Sequence, residues 1–214
     1  KVSGVKITTF VALTSFLRFK LSSIFDPLSL IAMTRLKIIW RCESMGRYHQ
    51  AEPLIVQALE MTKQLLGENH PDMATTLNNL AGLYESIGHY HQAEPLYVQA
   101  LELYKQRLGH HHPSVATSLN NLALLYKSMG CYDQAEPLYQ QALELFKQRL
   151  GHHHPSVAIS LNNLALLYES MGCYEQAEPL FQQALEIAER TLGSNHPNTV
   201  TIRKNLESLG DLKR

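Results

Sequence analysis

Residues 109–150 and 151–192 are one 42-residue text written twice, with nine differences between the copies. Residues 67–108 are a looser copy, a further copy begins at Gly193, and the back half of another is legible over residues 43–66. A fixed period of this length constrains the chain more than its composition does. Each unit must be a supersecondary element that buries its apolar face against the next unit. Single residues keep the step: Gly46, Gly88, Gly130 and Gly172 are each 42 apart, as are Tyr48, Tyr90, Tyr132 and Tyr174. Pro71, Pro113, Pro155 and Pro197 follow the same spacing, and so do Asn79, Asn121, Asn163 and Asn205.

Within a unit the apolar positions recur at helical intervals. Leu119, Leu122, Ala123 and Tyr126 fall at i, i+3, i+4 and i+7 and share one helix face. After Gly130, a second face is formed by Tyr132, Ala135, Tyr139, Ala142 and Leu143. The unit therefore reads as a helical hairpin. Pro113 suits the first turn of the first helix, where its missing N–H would have no partner, and Gly130 suits a left-handed residue just beyond that helix. Asp133 with Glu136 is expected to form a capping box at the start of the second helix, with Glu175 and Glu178 as a weaker copy. Pro137 lies about one turn into that helix, early enough to cost little.

These residues resemble the tetratricopeptide signature. Its usual period of about 34 is lengthened here, and the 42-residue form with HPxVAxSLNNLAxLY and YxQAEPLxxQAL is similar to the repeats of kinesin light chain and its bacterial relatives. The resemblance covers about residues 43–209. It implies an all-α fold, a right-handed α-solenoid of stacked antiparallel helix pairs, whose first helices line a concave face. The expected organisation is an irregular extension over 1–44 and a solenoid over 45–209, followed by a short tail at 210–214. The solenoid would hold a half repeat, three full repeats (Pro71–Leu108, Pro113–Leu150 and Pro155–Leu192) and a capping helix from Pro197 to Leu209. That last segment carries Arg203, Lys204 and Glu207 where its predecessor carries Leu161, Asn162 and Ala165, as a polar end face requires.

Charge and chemistry narrow the function. Nineteen basic and nineteen acidic residues cancel, so nothing points to a nucleic-acid or membrane partner. The chain holds no nucleophile elbow, no zincin motif and no phosphate-binding glycine loop, and Ser118 and Ser160 have no activating neighbour. No catalytic residue, cofactor or metal is expected. The tracts His110–His112 and His152–His154 occupy equivalent loops and have the imidazoles to attract a transition metal. A structural site wants four fixed ligands, however, and neither a cysteine nor an acid recurs beside them; solvated loop histidines are the plainer reading. Cys131 and Cys173 stand at one repeated position and read as reduced thiols of a cytoplasmic chain.

Residues 1–44 do not keep the pattern. Ile7 to Leu17 is an apolar run behind Lys1 and Lys6, a weak likeness to a targeting segment that is too short to span a membrane. The absence of an initiator methionine suggests a fragment or a processed form. Ile38-Ile39-Trp40-Arg41-Cys42 can be encoded by bases that, read one nucleotide earlier, give Asn-Asn-Leu-Ala-Leu, the heart of the repeat. One expectation is thus a former repeat translated out of frame; the other is a chance match in an irregular extension.

The functional expectation lies in the first helices. If Leu119, Leu122, Ala123 and Tyr126 face the core, then Asn121, Leu124 and Ser128 point to the concavity that the resemblance implies. The candidate peptide-binding residues are Asn79, Asn121, Leu124, Lys127, Asn163, Leu166, Glu169 and Asn205. Asparagine both donates and accepts, so a ladder of amides can pair with an extended backbone of any sequence, unless it serves to bridge neighbouring helices instead. The expected role is a protein–protein interaction scaffold that grips an extended peptide, as the concave face of the resembled family does. The alternative is a spacer, sensor or self-associating repeat region of a larger signalling protein.

Overall fold

A computed structural model describes residues 48–213. The expectations for residues 1–44 lie outside these residues. Eight helices and no strand occur among them: α1 (Tyr48–Leu66), α2 (Pro71–Ser86), α3 (Tyr90–Leu108), α4 (Pro113–Ser128), α5 (Tyr132–Leu150), α6 (Pro155–Ser170), α7 (Tyr174–Leu192) and α8 (Pro197–Leu212). The pairs α2–α3, α4–α5 and α6–α7 are the three hairpins that the period predicts, each packing on the next. Successive first helices, α2 on α4, α4 on α6 and α6 on α8, also touch directly. This is an all-α solenoid.

Local chemistry sets the boundaries. Pro113 and Pro155 sit in the first turn of their helices. Gly130 adopts φ 76°, and its N–H bonds the Lys127 carbonyl at 3.0 Å while the Cys131 N–H bonds the Tyr126 carbonyl at 2.8 Å. That crossed pair is the Schellman arrangement, and it needs a left-handed residue that glycine supplies without a Cβ penalty. Pro137 is accommodated inside α5, which runs on to Leu150.

The capping box is not formed. Cys131 and Cys173 are the N-caps of α5 and α7, and neither helix start has a side-chain cap bond. Asp133 is exposed, and Glu136 turns away to receive the hydroxyl of Tyr168 from the following hairpin at 2.7 Å. A charge-assisted bond between repeats thus outcompetes a local one to the backbone. The final helix also differs from its expected extent, continuing past Leu209 to Leu212.

The core is a seam of small and large side chains. Ala123, Ala135, Ala142, Ala165, Ala177 and Ala184 are fully buried and let helices approach closely, while Leu119, Leu125, Tyr139, Leu161, Leu167 and Phe181 fill the space between. Tyr126 packs on this core but remains half-buried, and Tyr168 is buried. Both hydroxyls reach across to the preceding hairpin: Tyr126 Oη donates to Glu94 Oε1 at 2.8 Å, as Tyr168 Oη does to Glu136 at 2.7 Å. Burial, with Glu94 accepting its hydrogen bond, pushes the Tyr126 phenol up to about 12. At the end of the stack a cation takes over from the tyrosine, with Lys213 Nζ 2.7 Å from Glu178 and 2.9 Å from Glu175.

The histidine before each helix-opening proline has a structural part that the sequence alone does not reveal. His70, His112, His154 and His196 are the N-caps of α2, α4, α6 and α8, each accepting at Nδ1 from the backbone N–H two residues on, at 3.1–3.2 Å. His112→Ala is therefore expected to cost about 0.5–2 kcal/mol, and His112→Ser to recover most of it. Urea denaturation of the two variants checks this.

Candidate functional site

The solvent-facing stripe of the first helices emerges from burial. Along α4, Thr117, Asn121, Leu124 and Ser128 are exposed or half-exposed, and the residues between them are largely buried. The same positions on α6 carry Ile159, Asn163, Leu166 and Ser170. On α2 they carry Thr75, Asn79, Gly82 and Ser86, and on α8 Thr201, Asn205, Ser208 and Leu212. The stripe exposes apolar surface, with Leu124 at 41% and Ile159 at 39% of full exposure.

The paired asparagines divide their labour. The first of each pair ties neighbouring hairpins together: Asn78 Nδ2 donates to Ser118 Oγ at 3.0 Å, and Ser160 Oγ donates to Asn120 Oδ1 at 3.4 Å. Asn205 Nδ2 donates to Asn162 Oδ1 at 2.8 Å, so this last rung of the expected amide ladder is engaged within the stack. The second of each pair, Asn79, Asn121 and Asn163, is half-exposed and makes no side-chain hydrogen bond among the described residues. Their amides are available to a ligand.

Charge lies along one edge of this stripe. The position that is Glu85 in α2 is Lys127 in α4 and Glu169 in α6. Burial lowers the Lys127 ammonium below its usual range, and Glu169 in the next hairpin opposes that shift. Glu85 is more deeply set. Tyr97 Oη donates to its Oε2 at 2.9 Å and Ser128 Oγ to its Oε1 at 3.3 Å, yet burial outweighs both bonds and raises its carboxyl. Sequence reading missed Glu85. Its signal was the repeated position it shares with Lys127 and Glu169, together with Tyr97 in the partner helix.

No group of three or more metal-ligating side chains converges among the described residues. In each histidine tract, the last member caps a helix through Nδ1. No helix among the described residues is long and apolar enough to cross a membrane.

A stack of helical hairpins with an open polar and apolar stripe defines a repeat scaffold for protein–protein contact. The chain belongs to the tetratricopeptide repeat family, whose family model matches residues 41–106, 88–147, 114–172 and 156–209. Among solved structures it is similar to BtubC (BKLC) from P. vanneervenii, at 27% identity and a TM-score of 0.72 over 93% of this chain and 78% of that one. It is also similar to a Podosopora anserina protein described as a kinesin light chain with nearly identical TPR-like repeats, at 26% identity and a TM-score of 0.68, covering 87% of each chain. A Rap protein complexed with competence and sporulation factor shares the fold at 18% identity and a TM-score of 0.66, over 90% of this chain and 57% of that one. No curated protein matches the chain.

Proposed function

We propose that the chain binds an extended peptide segment of a partner protein along the stripe of its first helices and does no chemistry on it. Asn79, Asn121 and Asn163 would meet the peptide backbone, Leu124 and Leu166 its apolar side chains, and Lys127 and Glu169 its charged ones, while Asn205, tied to Asn162 through its amide nitrogen, would offer its carbonyl. The observation that carries this reading is the set of half-exposed amides, Asn79, Asn121 and Asn163, that the fold itself does not use. Each net hydrogen bond contributes about 0.5–1.5 kcal/mol, and an amide that donates and accepts at a fixed spacing suits a peptide unit more than a particular side chain. Leu124 and Ile159 beside them supply surface whose burial favours association. The free thiols of Cys131 and Cys173 suit a reducing, cytoplasmic setting.

The test is selection of a displayed library of randomised extended peptides on the wild-type chain, with affinities measured by fluorescence polarisation. Asn121→Ala combined with Asn163→Ala is expected to weaken a selected peptide about tenfold or more while leaving the thermal midpoint nearly unchanged. Equal affinity in the double variant would move the site off this stripe.

A further inference from the structure

We propose that Glu85, with Tyr97, Ser128 and the notch left by Gly82, forms a subsite that takes the lysine or arginine side chain of a bound peptide. The inference rests on the proposal that a peptide binds along the stripe of the first helices, and adds a side-chain preference to it.

Three observations meet at this point. First, the stripe is indented here. Where α4 and α6 carry Leu124 and Leu166, α2 carries Gly82, and a Cβ built on Gly82 would lie 3.4 Å from Tyr97 Oη. The missing side chain opens the surface beside the phenol that holds Glu85, one helical turn away. Second, the carboxylate is fixed. Each oxygen accepts one hydroxyl, from Tyr97 at 2.9 Å and from Ser128 at 3.3 Å; Ser128 Oγ also lies 3.0 Å from the Leu124 carbonyl, so its proton is shared. An ionised carboxylate has about four lone-pair sites, which leaves room for a cation or for the two parallel bonds of a guanidinium. Third, the charge is unmatched. No lysine, arginine or histidine forms a salt bridge with Glu85 among the described residues. At the equivalent position one hairpin on, Lys127 has Glu169 to answer it.

Setting an ionised carboxylate in a partly buried place without a counter-ion costs stability, and an incoming cation would offset that cost. A neutral or acidic side chain would leave the carboxylate desolvated and unpaired, so the subsite discriminates as well as attracts.

The experiment uses the same displayed library, selected in parallel on the full chain and on its Glu85→Gln and Glu85→Lys variants, each first checked for an unchanged circular dichroism spectrum. Wild type should enrich peptides with lysine or arginine at one fixed position. Glu85→Gln should weaken such a peptide about tenfold or more, and Glu85→Lys should replace the basic preference with an acidic one. Norleucine in place of that peptide lysine should lose the same factor against wild type and nothing further against Glu85→Gln, a coupling that a merely structural role would not produce. Peptides selected without a fixed basic position, or bound equally by Glu85→Gln, overturn the subsite and leave the peptide-binding stripe standing. Failure of wild type to select any peptide overturns both.

Discussion

Tyr139→Ala is expected to lower the unfolding free energy by about 3–5 kcal/mol, whereas Tyr139→Phe should leave it unchanged or raise it by up to about 1 kcal/mol. The contrast follows from where the ring and the hydroxyl sit. Tyr139 is 0% exposed and among the largest fully buried side chains, so truncation leaves a ring-sized cavity between α4 and α5 that rigid helices cannot close. Its hydroxyl is another matter, because Oη has no hydrogen-bond partner. The equivalent Tyr97 donates to Glu85, twelve residues before it, but the residue twelve before Tyr139 is Lys127, which has no lone pair to offer. Burial, with the charge of Glu85 behind it, holds the Tyr139 phenol well above its ordinary range. The following repeat has already lost the hydroxyl, carrying Phe181 at this place, also fully buried. Chemical denaturation of the two variants reads the difference directly. A Tyr139→Phe variant less stable than wild type by more than about 1 kcal/mol would show that the hydroxyl has a partner after all.

The second large effect is at the joint between hairpins. Tyr168→Ala should cost about 3–5 kcal/mol, since the ring is buried in the seam. Tyr168→Phe isolates the latch: it keeps the ring and removes the hydroxyl, which donates the 2.7 Å bond to Glu136 and accepts a longer one from Gln140 Nε2 at 3.5 Å; the bond to the charged acceptor contributes about 1.5–3 kcal/mol. Because half of each joint sits in one repeat and half in the next, the loss should also reduce the cooperativity of unfolding. The denaturant slope should fall as the last hairpin and α8 begin to melt ahead of the rest. Glu136→Gln should reproduce part of this effect, and the double variant should cost less than the sum of the two singles. Strict additivity would sink the latch.

Much of this was legible beforehand, for reasons that particular residues make plain. Hairpins, turns and core follow from local chemistry repeated at a fixed step. Pro113 suits the first turn of a helix, Gly130 the left-handed residue after one, and Leu119 with Ala123 its inward face. What the sequence hid was the choice of partner. Glu136 has the spacing of a capping residue, and only the juxtaposition of the next hairpin shows that Tyr168 claims it. His112 looks like a loop residue until the backbone N–H of Ser114 is seen lying on its Nδ1. Asn120 and Asn121 are chemically identical neighbours, yet a rotation of one residue about the helix turns one into a tie between hairpins and leaves the other facing solvent. Glu85 escaped notice because its meaning depends on a glycine one turn earlier and a tyrosine in another helix.

The tyrosine-to-glutamate joint has a hand and a direction: the hairpins α4–α5 and α6–α7 each donate from a phenol to the hairpin before them, and Glu94 and Glu136 accept from the hairpin after. A copy of the 42-residue text inserted between α5 and α6 would find a phenol on one flank and a carboxylate on the other, and would lock in without any new surface being invented. Beyond the last of these phenols, Lys213 meets Glu178 and Glu175 with a cation in place of a hydroxyl. An array built on this joint can grow from within by duplication, each flanking hairpin keeping the same kind of partner.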